Sequence, residues 1–368
     1  MNYTILKDER VPAEQWKQIL TDAVAKLDLS SFQSCGVVTS ESFQATYQDV
    51  VDHLIEDFQT LYSAYDVLFD DYREMFGGAN GAKLADLFQD WRDADRAPSI
   101  CSILLAVSDQ HDIDQNSPVF QAALLTGIAA DITLDNPYHD NNHFREVVAA
   151  TVRIINTNNE LFATETKDVI WIGPQTAAKV LLAAAGHDLN HDGTGNSQGG
   201  EHQQYRLEQQ SIDTMMPFMQ AVGLDDETVE DVQVIIRVTD VSTTENGTSP
   251  HAYMKQAAKT AQSGEDIDRE SLPEDLRKLA TDKMLLQIAS ILSDADLSPS
   301  AATTYDFNQR MSELLQKEIP GMKVGPSSTD FFCKFIVGGE FTSIAGKAQS
   351  QSSLTNIMDS VNNPDTAE

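Results

Sequence analysis

Apolar side chains recur at helical spacing over long stretches of this chain, and this periodicity limits its fold more than any other feature. Between Ser42 and Phe76 the apolar stripe consists of Phe43, Tyr47, Val50, Leu54, Phe58, Leu61, Tyr65, Leu68 and Tyr72. Residues three and four apart lie on one face of a helix, so the stripe predicts a long helix that packs on a core. Similar spacing returns further along, whereas the alternation typical of strands is hard to find. The sequence therefore predicts an all-α fold, a compact bundle of many helices.

Three parts are predicted along the 368 residues. Residues 1–115 form an N-terminal helical region, which is either a structural cap on the part that follows or a separate docking element. Residues 116–345 carry the motifs described below and form the main helical domain. Residues 346–368 are polar and are predicted to be a flexible tail.

The charge of the chain narrows its partners. With 25 lysines and arginines against 57 aspartates and glutamates, the net charge is −32. Such a protein repels nucleic-acid backbones and anionic membrane surfaces, so a small-molecule partner is expected. The charge serves either solubility or the attraction of divalent cations.

The apolar runs and the cysteines of the chain indicate the cellular compartment in which the protein is expected. The longest apolar run, "VLLAAAG" (180–186), is too short to span a bilayer, and no apolar signal run opens the chain. The cysteines Cys35, Cys101 and Cys333 are odd in number and far apart, which suits a reducing compartment. A cytoplasmic location is expected, and the oligomeric state is left open.

Four of the eight histidines fall in two short stretches, "NPYHDNNHFREVV" (136–148) and "AAAGHDLNHDGTGN" (183–196). His139 and His143 are four residues apart, as are His187 and His191, so each pair can share one helix face. Asp188 follows His187, and the apolar segment "SDADL" (293–297) contributes the carboxylate of Asp296. One such pair alone arises often by chance. Histidines and carboxylates together are the donors that divalent metals use in phosphate chemistry, and the combination predicts a metal site.

These segments resemble the signatures of the class I cyclic nucleotide phosphodiesterases, a helical family within the HD metal-hydrolase group. "YHDNNH" resembles the family's Tyr-His-Asn-x-x-His, with Asp140 in place of asparagine. "HDLNHDGTGN" resembles His-Asp-x-Asp-His-x-Gly-x-x-Asn, with Asn190 in place of the second aspartate, and "ADLSP" (295–299) resembles Ala-Asp-Leu-Ser. "VTDVS" (238–242) and "YRLEQQ" (205–210) are weaker matches. The resemblance covers roughly residues 118–340.

The resemblance implies two metal ions and a set of site residues. The first ion, zinc-like, would be bound by His143, His187, Asp188 and Asp296. A second ion, magnesium or manganese, would share Asp188. His139 would act as general acid, and His191 and Glu208 would hold metal-bound waters. The residues implied to form the substrate pocket are Tyr138, Asn196, Thr239 and Phe332.

The base-recognition positions depart from the family. Thr329 stands where the family has its purine-binding glutamine, and Pro299 stands where it has an asparagine. The expected function is a metal-dependent phosphodiesterase whose substrate need not be cyclic AMP or cyclic GMP. Two alternatives stay open: an HD-type phosphohydrolase acting on another nucleotide or phosphoester, and a non-catalytic sensor or scaffold that binds metal or nucleotide.

Overall fold

The computed structural model describes residues 12–28, 37–64, 67–68, 79–198, 201–243, 247–319 and 321–362. Over these residues the regular structure is helical, apart from one short ladder in which Ser197–Gln198 (β1) pairs antiparallel with Glu201–His202 (β2). The predicted all-α fold is confirmed.

In chain order, the α-helices within the described ranges are α1 (Pro12–Val24), α2 (Ser40–Ser63), α3 (Ala79–Asp93), α4 (Ile100–Gln110), α5 (Pro118–Ala130), α6 (Asn141–Ala163), α7 (Pro174–Gly186), α8 (Arg206–Ala221), α9 (Asp226–Arg237), α10 (Pro250–Gln262), α11 (Lys283–Ala301), α12 (Tyr305–Glu318), α13 (Pro326–Phe331) and α14 (Ile344–Asn362). Two 3₁₀ segments, Arg269–Ser271 and Glu274–Ala280, precede α11, and a π-helical turn, Phe332–Ile336, follows α13.

Side-chain caps set the starts of several of these helices. Asp140 accepts a hydrogen bond from the backbone N–H of His143 at the start of α6. Asp282 caps α11 and Thr304 caps α12 in the same manner. Such caps satisfy backbone N–H groups that have no partner inside the helix. Helices α6, α11 and α12 therefore begin at defined residues.

The centre of the fold is α5, which is buried along its length from Val119 to Ala130. A helix that is apolar on every side has to be enclosed by other elements. Helix α5 packs most extensively on α7, and α6 packs on both α7 and α11. The small residue Gly186 permits a close approach, since a Cβ there would lie 2.3 Å from Met215 Sδ. The segments that carry the predicted metal ligands are thus in mutual contact.

The N-terminal helices share the core of the remainder. Helix α1 packs on α5, α2 packs on α4 and α5, and α4 packs on α6. One contiguous hydrophobic cluster extends from Trp16 to Ile357. The division at residues 115 and 116 stays a prediction. The stripe predicted over 42–76 is a helix as far as Ser63, while residues 65–66, 69–78 and Cys35 lie outside the described residues.

The prediction of a flexible tail is wrong for residues 346–362. These residues belong to α14, which packs on α6 and α11 and buries Leu354 and Ile357. The buried carboxylate of Asp294 on α11 accepts hydrogen bonds at 2.7 Å from the backbone N–H groups just before α14. Gly346 leaves room for that carboxylate, because a Cβ there would lie 2.3 Å from Asp294 Oδ2. Residues 363–368 lie outside the described residues.

None of the helices in the described ranges combines the length and apolarity that crossing a bilayer requires.

Candidate metal centre

Four predicted ligands converge between α6, α7 and α11. His143 lies in the first turn of α6, His187 and Asp188 directly follow α7, and Asp296 lies within α11. One donor atom from each side chain lies within 4.8 Å of the other three. The convergence joins three helices that are distant in sequence.

The spacing of these donors fits a single divalent cation. His143 Nε2 lies 3.3 Å from Asp188 Oδ2 and 3.4 Å from Asp296 Oδ1. His187 Nε2 lies 3.2 Å and 3.4 Å from the same two oxygens, and the two imidazole nitrogens are 3.4 Å apart. Four donors placed tetrahedrally about 2.0–2.1 Å from a zinc ion lie about 3.3–3.4 Å from one another. The four residues can therefore hold a metal of that size.

A backbone carbonyl orients one of the two imidazoles, and a helix cap positions the backbone of the other. His187 Nδ1 lies 2.9 Å from the carbonyl oxygen of Ala184, so Nδ1 carries the proton and Nε2 presents its lone pair. His143 is placed by the cap of α6, where its backbone N–H donates to Asp140 Oδ1 at 3.0 Å. Both histidines are buried. The Ala184 carbonyl thus orients the ring of His187, whereas the cap of α6 fixes only the backbone of His143.

The pKa values of the four cluster residues indicate that the two carboxylates favour positive charge beside them. Burial opposes the charged forms, yet contacts with Asp188 and Asp296 raise the pKa of His143 to about 9 and raise that of His187 well above its ordinary value. Against the same burial, the histidines lower the pKa of Asp296 to about 2 and hold that of Asp188 well below its usual range. The carboxylates stay ionised, and a bound cation satisfies them without protonating the imidazoles.

His139 is held by a carboxylate that no sequence motif marks. Glu318, the last residue of α12, accepts hydrogen bonds through Oε1 from the backbone N–H groups of Tyr138 (2.6 Å) and His139 (2.8 Å). Its Oε2 lies 2.6 Å from His139 Nδ1. Although burial acts in the opposite direction, the contact with His139 lowers the pKa of Glu318. With Nδ1 engaged, His139 Nε2 faces the metal cluster, 4.0 Å from Asp188 Oδ2.

His139, His191 and Glu318 form a second group with donors within 4.8 Å, but stacking and hydrogen bonds explain it better than a metal does. The rings of His139 and His191 are 3.7 Å apart and inclined by only 22°. Lone pairs in nearly parallel rings do not point at one ion. Burial and the neighbouring His139 lower the pKa of His191 to about 4, and its Nδ1 accepts the Gly193 N–H at 3.1 Å. A neutral His191 therefore supports the ring of His139.

Glu208 and Asn196 form a buried pair beside the cluster. Asn196 Nδ2 donates to Glu208 Oε2 at 3.0 Å, and Asn196 Oδ1 accepts the Leu207 N–H at 2.9 Å. Burial, reinforced by the charge of Asp240, raises the pKa of Glu208 to about 8. Glu208 is thus protonated at neutral pH unless a cation lies near it.

Three residues that hold the site were missed from the sequence. Glu318 is one, and its only local signal is an acidic side chain at a helix C-terminus, where the helix dipole disfavours it. Asn136 donates to the His191 carbonyl at 2.7 Å and to the His139 carbonyl at 3.3 Å, joining the two histidine loops. Asp240 is buried and accepts the Ser242 N–H at 2.8 Å. Asn136 and Asp240 lie inside motifs that were quoted for other residues.

A cavity of about 690 Å³ opens over the cluster, a volume within the usual range of small-molecule pockets. Its lining contains Tyr138, His139, His143, Asp188, His191, Asn196, Glu208, Thr239, Asp296 and Phe332. Of the eleven predicted site residues, only His187 lies outside the lining. The roles of all eleven stay predictions.

The charge of this lining is mostly negative. It includes the carboxylates of Asp188, Asp240 and Asp296, besides the carboxyl group of Glu208, whereas the only lysine or arginine among its described residues is Lys323. A phosphate group entering the cavity would be repelled by the ionised carboxylates. A divalent cation bound at the cluster would offset this negative charge and favour an anionic ligand.

The two residues that replace the family's base-reading amides, Thr329 and Pro299, are buried in the protein. Thr329 is buried and its hydroxyl donates to Asn308 Oδ1 at 2.9 Å. Pro299 is buried within α11. The hydroxyl of Thr239 donates to the Ile236 carbonyl at 2.8 Å, although Thr239 lines the cavity. Phe332 also lines the cavity.

Comparison with known proteins gives structural neighbours only. No family model and no curated protein matches the sequence. A phosphodiesterase domain of the RhoPDE fusion protein from the choanoflagellate Salpingoeca rosetta is similar over 82% of this chain and 95% of its own, with 18% identity and a TM-score of 0.47. LmjPDEB1 in complex with IBMX is similar over 80% of this chain and 95% of its own, with 15% identity and a TM-score of 0.49.

Proposed function

We propose that this protein is a metal-dependent phosphodiesterase acting on a small-molecule phosphodiester. The observation that carries the proposal is the convergence of His143, His187, Asp188 and Asp296. Each imidazole Nε2 lies 3.2–3.4 Å from the other imidazole and from one oxygen of each carboxylate. His139 stands beside that cluster with one ring nitrogen anchored by Glu318. A hydrolytic metal site needs both an ion and an oriented proton donor, and the chain supplies residues for each.

Two divalent ions are proposed, zinc at the four-residue cluster and magnesium or manganese beside Asp188. When bound, such ions neutralise the phosphate, polarise its oxygens and lower the pKa of water. The second position is supported by the carboxylates of Glu208 and Asp240, which line the same cavity. Oxygen donors suit magnesium and manganese, whereas imidazole suits zinc.

His139 is proposed to donate the proton that the leaving group needs. Hydrolysis breaks a P–O bond while water adds its hydroxyl group to phosphorus and releases its other proton to solvent. The departing alkoxide takes a proton from His139 Nε2, which solvent then reprotonates. Glu318 holds Nδ1 at 2.6 Å, so the ring stays aligned and its positive charge is stabilised before transfer. His191 stacks against the ring and limits its rotation.

A cytoplasmic location is also proposed. It is supported by Cys101 and Cys333, which are buried and free, as expected of a protein kept in a reducing compartment.

The test measures bound metal and the hydrolysis of bis-p-nitrophenyl phosphate, cyclic AMP and cyclic GMP. Asp296→Ala should lose zinc and activity together, because it removes a ligand. His139→Ala should keep zinc and lose about 10²–10⁴-fold in kcat. His53→Ala, a change at a partly exposed histidine on α2 outside the cavity lining, is the matched control and should keep both.

Hydrolysis of bis-p-nitrophenyl phosphate without hydrolysis of either cyclic nucleotide would support the proposed mechanism and indicate a different natural substrate. Bound zinc without turnover of any diester would favour a sensor or scaffold. A purified protein that neither contains nor takes up zinc would refute the site.

A further inference from the structure

One wall of the cavity is apolar and continues onto the protein surface. It is built from the end of α12, from α13 and from the π-helical turn, and its apolar members are Leu315, Ile319, Met322, Phe331, Phe332 and Ile336. Phe331 lines the cavity and is nevertheless 56% exposed. Its ring stacks on that of Phe335, 70% exposed, with centroids 5.2 Å apart. We name Ile319, Phe331 and Phe335 the aromatic lip.

Polar groups near this wall are mostly occupied within the protein. Asn196 has the only side-chain amide among the described lining residues, and Glu208 and Leu207 engage it. The hydroxyls of Thr239 and Ser328 donate to backbone carbonyls. A ligand that reaches past the metal cluster therefore meets apolar surface and few free hydrogen-bonding groups.

Exposure of two adjacent phenylalanines is unfavourable unless something covers them. Such surfaces mark places where a ligand or partner binds. Because Phe331 belongs both to the cavity lining and to the lip, a ligand held at the metal cluster can cover the lip with a long substituent. A compact substituent would leave it exposed to water.

We propose that the substrate carries a large apolar group, alkyl or aryl, that leaves the cavity across the aromatic lip. The inference rests on the proposed phosphodiesterase function of the same site. On this inference the site selects its substrate by covering an apolar group with Phe331 and Phe335. Hydrogen bonds to a base are not expected, since the amides that would make them are replaced or occupied. Alkyl and aryl groups bury similar surface, so both are tested.

The experiment uses three diesters with one leaving group: methyl, octyl and 2-naphthyl p-nitrophenyl phosphate. Wild-type protein loaded with zinc and magnesium should show a kcat/KM for the octyl or naphthyl ester at least about tenfold above that for the methyl ester. Phe331→Ala should reduce this preference about five- to tenfold, since slightly more than half of the side chain is available for covering. The alkyl and aryl arms show which group the lip selects.

Phe162→Ala is the matched control, because Phe162 is 46% exposed on α6 and is not among the lining residues. This variant should keep the wild-type preference. Equal kcat/KM values for the three esters in the wild-type protein, or an unchanged preference in Phe331→Ala, would overturn the inference.

A binding measurement separates this inference from the proposed activity. Calorimetric titration with methyl, octyl and 2-naphthyl phosphate should show tighter binding of one large monoester than of methyl phosphate, and Phe331→Ala should weaken that preference. If this pattern holds while no diester is hydrolysed, the lip is a binding surface and the catalytic proposal fails. Equal affinities for all three monoesters would refute the inference about the aromatic lip, whether or not the protein hydrolyses a diester.

Discussion

Replacing Arg92 with methionine removes the partner of a fully buried carboxylate next to the metal centre. Arg92 lies in the last turn of α3 in the N-terminal region and donates to Glu146 through Nε at 2.6 Å and through Nη2 at 2.9 Å. The two side chains are 4% and 0% exposed. Glu146 lies one turn beyond His143 on α6, and Arg92 Nη1 is also 3.6 Å from the helix cap Asp140. The change therefore affects both stability and the start of α6.

The magnitude follows from burial. Losing one partner of a buried ion pair costs about 3–5 kcal/mol, because the other charge stays desolvated. Burial raises the pKa of Glu146 even with Arg92 present, so in Arg92→Met the carboxyl group takes up a proton and limits the loss to about 3 kcal/mol. Replacing both residues, Arg92→Met with Glu146→Met, should restore stability to within about 1 kcal/mol of wild type, since no charge is left buried.

Urea unfolding of the wild type, both single variants and the double variant measures this coupling. Zinc affinity, measured by competition with a chelator, should fall about tenfold in Arg92→Met because the contact that supports Asp140 is lost. Arg310→Met is the control: its ion pair with Asp93 is exposed, so its loss should cost less than about 1 kcal/mol. A loss in Arg92→Met as small as in Arg310→Met would refute the reasoning. So would a double variant that loses the sum of the single effects.

Two further predictions concern the site. Glu318→Gln should lower kcat about 10- to 100-fold with bound zinc unchanged, because the amide cannot anchor His139 Nδ1 and both backbone N–H groups as the carboxylate does; a wild-type kcat would contradict the positioning role. Burial and Asp240 raise the pKa of Glu208 from its ordinary 4.5 to about 8, so in metal-free protein its contribution to stability is complete below about pH 4.5 and is lost as the pH rises through about 8. Glu208→Gln should lose less stability over this range in urea unfolding, and identical pH profiles would disprove the shift.

Local spacing explains why most of the candidate site could be found in the sequence. His139 and His143, and likewise His187 and Asp188, are close in the chain, so helical geometry already brings them near one another. Asp296 stood out because a carboxylate in an apolar helix needs a partner. Residues whose partners are distant left no such sign. Glu318 contacts His139 across 179 positions, and Arg92 reaches Glu146 across 54.

The tail shows the opposite error. Residues 346–362 are polar and were predicted to be flexible, because composition reports how much apolar surface a segment offers and not what it packs against. Here Gly346 admits the carboxylate of Asp294, and the adjacent backbone N–H groups bind it. Small polar residues of α14, such as Ser350 and Ser353, are buried as well.

The sequence alone determined the helical class, since apolar periodicity is a local property that any helix of this pattern must express. It also determined which side chains can bind a metal, because donor chemistry belongs to the residue. The tertiary structure decided how far apart the donors are, which carboxylate anchors His139 and which apolar wall reaches the surface. Those properties depend on helices packed from distant parts of the chain, where distances are set by the shape of the whole core.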